Sequence, residues 1–285
     1  MVAKKMVILG HIQTEYFMLF NYISWAPNPE IFSLGPLAPR WYGLLFATGF
    51  LIGLFIVKRM FKEEDAPEEW LDKAFMYIVI GAVVGARLGH VFFYDWDYYS
   101  QNLAKIPAIW EGGLASHGGA IGILIALYIF SKRVSKKSML WILDKVVVPT
   151  ALAGCFIRMG NFMNSEIVGT PYDGPFAVLF VNAYPPLNEV PRHPVQLYEA
   201  ASYLVIFVIL FFTYWRTQYR KKPGFVFGLF LVLVFGARFV LEKYKHTQGG
   251  LEEAINNSLS TGQLLSIPFV LVGLYYIFRP MPTKA

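Results

Sequence analysis

Seven apolar runs of roughly twenty residues each restrict this chain more than any other feature. They cover about 41–61, 71–94, 113–130, 140–160, 194–215, 224–241 and 259–278. Each is long enough to cross the hydrocarbon of a bilayer as a helix, and a helix is the form that satisfies its own backbone there. The expected fold is an all-α polytopic membrane protein of seven transmembrane helices. Glycines and His117 interrupt the third run, and Asp144 and Lys145 the fourth, so these two carry the weakest signal. Gly81, Gly85 and Gly89 repeat at four-residue spacing, a small-residue stripe that lets a neighbouring helix approach closely.

Composition excludes the soluble alternative. Of the 285 residues, 56% are hydrophobic and only 15% charged, whereas a soluble domain is about a quarter charged. The net charge of +6 lies in the connections between runs, which suits membrane orientation and not nucleic acid. Cys155, the single cysteine, excludes an internal disulfide, and the histidines have no metal-ligand spacing. No metal or cofactor is therefore expected. One domain is expected over 1–285, with an N-terminal interfacial arm at 1–39 and an extracytoplasmic segment at 161–193. Within the arm, 16–25 is too short to span and rich in aromatics, so it is expected to lie on the membrane. Lys4 and Lys5 precede too short an apolar stretch for a cleavable signal.

Lysine and arginine crowd alternate connections: Lys58, Arg59 and Lys62; Lys132, Arg133, Lys136 and Lys137; Arg216, Arg220, Lys221 and Lys222; then Arg279 and Lys284. The positive-inside rule puts these in the cytoplasm, with the N-terminus outside and the C-terminus inside. Polar groups inside the runs then gather at the outer leaflet: Arg40, Tyr42, Arg87, His90, His117, Arg158, Asn161, His193, Tyr198, Glu199, Arg238 and Glu242. Each such charge costs about 2.5–3.5 kcal/mol at a helix centre on insertion scales, so it needs a reason. End residues such as Arg40 can snorkel, and Arg238 with Glu242, four apart, can form a private ion pair. Arg87, Arg158 and Arg238 outnumber the acidic groups read at that depth, and guanidinium matches phosphate in paired hydrogen bonds. Charge and depth thus point to an anionic phospholipid headgroup. They do not name a reaction, and an anion transporter or a non-catalytic lipid-binding protein would share them.

Two motifs go further. Arg158-Met159-Gly160-Asn161-Phe162-Met163-Asn164-Ser165-Glu166, with Gly169 beyond, gathers arginine, amides and a carboxylate at a helix end. Ser116-His117-Gly118-Gly119-Ala120-Ile121-Gly122 sets a histidine among glycines where an apolar helix begins. With Arg40-Trp41-Tyr42-Gly43, Gly85-Ala86-Arg87-Leu88-Gly89, the stretch from Arg192 to Glu199, and Arg238 followed by Glu242, the chain resembles the prolipoprotein diacylglyceryl transferase family. The R-x-G-N-F-x-N-x-E-x-x-G pattern is highly specific, and the resemblance covers nearly the whole chain. Phe235 and Lys245 stand where the family often has a tyrosine and an arginine.

The resemblance implies transfer of the diacylglyceryl group of phosphatidylglycerol to the lipobox cysteine of prolipoproteins at the outer face of the bacterial cytoplasmic membrane. A thioether forms and glycerol 1-phosphate leaves, with no cofactor. On that reading His117, Arg158 and Arg238 are catalytic. The arginines hold the phosphate, and His117 is the candidate base because its unperturbed pKa lies near neutrality. Asn161 and Asn164 orient the headgroup, Glu166 positions Arg158 or a glycerol hydroxyl, and Tyr42 donates a hydrogen bond. Arg87, Gly118, Gly119, Gly169, Tyr198 and Glu242 complete the expected substrate-binding set.

Overall fold

A computed structural model describes residues 22–35, 37–246 and 259–280. Seven helices, two of them with the turns that continue them to Ser135 and Tyr244, meet the length and apolarity needed to span: α1 Trp41–Glu63, α2 Glu69–Phe93, α3 Ser116–Phe130, α4 Met139–Met163, α5 Val195–Arg216, α6 Phe225–Leu241 and α7 Thr261–Phe278. Their outward surfaces carry large apolar side chains, among them Phe46, Phe55, Ile80, Ile125, Val205 and Leu271. A soluble protein buries such groups; a ring of them on the outside of a bundle is a lipid-facing surface.

The two runs with the weakest signal are both helical. The third gains length because a π-helical turn, Ser131–Ser135, continues α3. The fourth is the central helix, with Pro149 inside it. Pro149 packs against α1 where Gly53 leaves room: a Cβ at Gly53 would sit 3.1 Å from the proline ring. Asp144 and Lys145 are buried but satisfied. Asp144 accepts from the backbone N–H groups of Gly224 (2.6 Å) and Phe227 (2.8 Å), capping α6. Lys145 pairs with Glu64 at 2.9 Å, which also receives Trp141 Nε1 and the Tyr214 hydroxyl. Burial pushes the Glu64 carboxyl up, but Lys145 and these donors outweigh it and hold it below its ordinary value.

Two apolar cores sit toward this lysine-rich end. One joins Ile56 and Met60 of α1, Val148 and Leu152 of α4, Leu210 and Tyr214 of α5 and Val226 of α6. The second joins Val57 and Phe61 to Ala74 of α2, Leu127 and Phe130 of α3, and Ile142 and Leu143 of α4. The second core fastens α2 and α3 to the bundle. These two helices also pack closely on each other, because the glycine stripe of α2 faces Gly118 and Gly122 of α3.

The opposite end, bearing Arg158, is capped by irregular chain between α4 and α5. There β1 Tyr22–Trp25 pairs in parallel with β2 Ala177–Phe180, Tyr22 opposite Ala177 and Trp25 opposite Phe180. The Trp25 ring lies tilted against Phe162 (4.4 Å) and its Nε1 donates to the Phe162 carbonyl at 3.0 Å. The described end of the expected interfacial arm is thus a strand fastened to the end of α4. Residues 1–21, including most of the stretch expected to lie on the membrane, fall outside the described residues.

Candidate active site

The site starts from the end of α4. Arg158 and Asn161, three apart on one helical face, meet through Arg158 Nη1 donating to Asn161 Oδ1 at 3.1 Å. The helix stops at Met163, and Ser165 and Ile167 take left-handed backbone, which turns the chain back on itself. Glu166 thereby faces the helix it has just left, and its carboxylate accepts from Asn161 Nδ2 (2.7 Å) and Asn164 Nδ2 (3.3 Å). Gln196 of α5 donates to the Glu166 carbonyl at 2.8 Å and fixes the turn. Tyr42 lies within electrostatic reach of Glu166 and Arg158. It can do so because Gly160 has no side chain: a Cβ there would sit 2.7 Å from the Tyr42 ring.

From α5, Glu199 is 2% exposed and shared between two cations, with Arg158 Nε at 2.9 Å and Lys245 Nζ at 3.1 Å. One turn on, Tyr203 lies within electrostatic reach of Glu199, Arg158 and Arg238, which places α6 beside the group. Arg238 Nε is buried with no hydrogen-bond partner among the described residues, and so is Glu242 Oε2. The Arg238–Glu242 pair that their spacing allows is not formed. The Glu242 carboxyl instead lies against Gly262 in the first turn of α7, where the positive end of the helix dipole favours it.

The expected excess of arginine over acid does not hold at this site. Arg158, Arg238 and Lys245 are matched by Glu166, Glu199 and Glu242, because Arg87 stands elsewhere while Lys245 and Glu166 join. An anion would be held by directed donors left over on Arg158 and Arg238, not by surplus charge.

Of the other expected residues, Gly169 borders the cluster through a β-bridge to Lys245, and the rest turn to other partners. Gly118 faces α2: a Cβ there would sit 2.7 Å from Gly89 Cα. Gly119 also faces α2, with more room, 3.4 Å from the Ala82 carbonyl oxygen. Gly169 is wedged between His193 and Tyr244, where a Cβ would lie 2.7 Å from His193 Cβ. Tyr198 meets His193 (hydroxyl to Nδ1 3.3 Å), and His193 stacks on Tyr172 at 3.9 Å. His117 is exposed on the first turn of α3 and lines a shallow pocket with His90, Tyr94 and Leu114. Arg87 is turned wholly toward backbone carbonyls of the α2–α3 connection. Among the described residues, no hydrogen bond, ion pair or ring contact ties His117 or Arg87 to the Arg158 cluster.

Glu199, Tyr203 and Lys245 were not among the expected site residues. Their signal was Gln196, Glu199 and Tyr203 at i, i+3 and i+7, one polar stripe in the opening turns of an apolar helix. Lys245 arrives from a short return after α6, where Tyr244 and His246 hydrogen-bond to Thr170 and Val168.

Fold and site define a class: a seven-helix membrane protein with a partly buried arginine–carboxamide–carboxylate cluster at one end of the bundle, suited to a phosphate. The sequence profile of the family described as prolipoprotein diacylglyceryl transferase matches residues 29–279, and the chain belongs to that family. It is 50% identical over 261 residues to the phosphatidylglycerol–prolipoprotein diacylglyceryl transferase of Tolumonas auensis, covering 92% of this chain and 98% of that protein. The protein of the same name from Chloroherpeton thalassium is 44% identical over 259 residues, 91% of this chain and 94% of its own length. That of Porphyromonas gingivalis is 45% identical over 267 residues, with 90% and 94% covered.

Proposed function

We propose that this protein transfers the diacylglyceryl group of phosphatidylglycerol to the thiol of a lipobox cysteine in prolipoproteins, at the outer leaflet of the bacterial cytoplasmic membrane. The observation that carries the reading is the Arg158–Asn161–Glu166 cluster, with Tyr203 within electrostatic reach of both Arg158 and Arg238, whose buried Nε has no partner among the described residues. Two guanidinium groups from facing helices suit a phosphate diester entering from the bilayer.

The substrate sulfur attacks the glyceryl carbon that bears the phosphate ester. The S–C bond forms, the C–O bond breaks, and the electron pair leaves on the phosphate oxygen of glycerol 1-phosphate. Arg158 and Arg238 offset the charge that develops on that oxygen. Glu199 holds Arg158 through Nε, so the outer edge of the guanidinium stays turned to the substrate. Asn161 and Asn164, both tied to Glu166, orient the headgroup glycerol, and Tyr42 donates to it. A free thiol titrates near 8.5, so a base raises the reactive fraction. His117 takes that proton; it stands exposed outside the lipid-binding cluster, on the side from which a peptide would come.

The deciding assay incubates the purified protein with labelled phosphatidylglycerol and a lipobox peptide and looks for lipidated peptide. Arg158→Ala, correctly inserted, is expected to lose transfer; a fully active variant would remove Arg158 from the mechanism. His117→Gln is expected to lose the limb of the pH–rate profile that rises near neutrality. An unchanged profile would leave thiol activation to the arginines.

A further inference from the structure

Arg87 was expected to contact the phosphate, yet its surroundings leave no place for one. The residue is 3% exposed. Its Nε donates to the Ile106 carbonyl at 2.7 Å and Nη2 to that of Lys105 at 2.7 Å. Nη1 donates to Gly112 at 2.6 Å and Gly113 at 3.3 Å, and the Tyr99 ring covers the guanidinium, 4.9 Å from Cζ. Four of the five N–H groups are thus spent on backbone carbonyls. Those carbonyls come from two stretches of the connection, on either side of the turn at 107–111. One planar fork therefore gathers both stretches onto the side of α2.

The loop is shaped to this fork. Gly113 has φ +69°, and a Cβ on it would lie 2.6 Å from the His90 ring and 2.9 Å from Arg87 Nη1. Immediately afterwards the Ala115 N–H donates to the Ala86 carbonyl at 2.9 Å, and α3 begins with Ser116 and His117. The surface of the connection is otherwise exposed, with Leu103, Ile109, Trp110 and Leu114 turned outward and a solvent-facing Lys105–Glu111 pair (2.6 Å) across the same turn. Little else buries it.

We infer that Arg87 is a positioning residue: it clamps the connection 102–115 onto α2 and so fixes where the first turn of α3 presents His117. It does not bind the phosphate of the substrate. This rests on the proposed transfer, with His117 acting on the thiol. Lysine cannot substitute, because a single ammonium point cannot span carbonyls on both sides of the turn.

The test compares Arg87→Ala, Arg87→Lys and Gly113→Ala in the full-length protein, each confirmed as folded by size exclusion in detergent. All three are expected to lower kcat by about tenfold or more, with the KM for phosphatidylglycerol moved by less than about twofold. Gly113→Ala leaves the guanidinium in place and disturbs only its seat, so a lipid-binding arginine would not predict its effect. Arg87→Lys with parental kcat, or a KM raised about tenfold in Arg87→Ala at unchanged kcat, would overturn the inference. A second readout needs no activity: a spin label on Leu103→Cys, in a Cys155→Ser background, should gain mobility when Arg87 becomes Ala or Lys. Unchanged mobility would overturn the clamp. If the parent protein transfers no lipid, the functional reading fails, and label mobility alone decides the clamp.

Discussion

Glu199 concentrates the energetics of the site in one side chain. It is buried and is the direct carboxylate partner of both Arg158 and Lys245. Removing one member of a buried ionic group leaves the others uncompensated, at about 3–5 kcal/mol. Glu199→Gln should therefore lower stability by about that amount, measured as a shift in denaturant or thermal unfolding in detergent. A Glu199→Gln, Lys245→Met double variant should recover part of the loss, because one stranded cation is removed with the carboxylate. Additive losses would show that the two cations do not share the carboxylate. His193 gives a second test. Burial holds its imidazole below the ordinary pKa, so the unfolded chain takes up that proton at a higher pH than the folded one. Its contribution is present above the unperturbed value of about 6.5 and is lost as pH falls through the lower folded value. Melting temperature should decline over that slightly acid range, and His193→Phe, which keeps the stack on Tyr172, should flatten the decline. Parallel slopes would exonerate His193.

Among elements, the α2–α3 pair separates packing from chemistry within one motif. Gly118 and Gly119 adjoin His117, and both face α2, Gly118 in close approach and Gly119 with ordinary room. Gly118→Ala places a methyl group 2.7 Å from Gly89 Cα, while Gly119→Ala finds its nearest neighbour at 3.4 Å. The first should cost about 1–3 kcal/mol as overpacking, the second far less, as read from thermal unfolding. Equal tolerance at the two positions would refute the packing assignment. Asp144 behaves as an element-level device too: its carboxylate caps α6 from α4, and Asp144→Ala should cost about 1–2 kcal/mol in the same measurement. The seven helices were legible because run length against bilayer thickness is a local property of the chain, and the four-residue glycine spacing announced the α2–α3 contact. The arginine–asparagine–glutamate cluster at the end of α4 was legible because its members are close in sequence. The surroundings of Arg87 were not legible because its partners are carbonyls, which every residue carries and no sequence pattern marks. Glu199 was read at that leaflet but given no role, because its cations come from α4 and from the return after α6, a convergence that only tertiary structure creates.

For the whole molecule, the two ends differ in a way that bears on function. At the lysine-rich end, Glu63 and Glu64 tie α1 to Trp141, Lys145, Tyr214, Trp215 and Arg220, beneath the two apolar cores. Packed core below the Arg158 cluster opposes a translocation path through the bundle, the structure an anion transporter would need. It suits a site reached from one side only. The proposed reaction at the outer leaflet requires that side to be outside, and the basic connections point the same way. The placement is testable without enzyme assay. In a Cys155→Ser background, Tyr184→Cys lies exposed at the Arg158 end and Lys221→Cys exposed at the other. A membrane-impermeant maleimide added to intact cells, with the outer envelope opened, should label Tyr184→Cys at once and Lys221→Cys only after the inner membrane is permeabilised. The reverse pattern would turn the arginine cluster toward the cytoplasm, and with it the proposed reaction at the outer leaflet would fall, whatever the cluster binds.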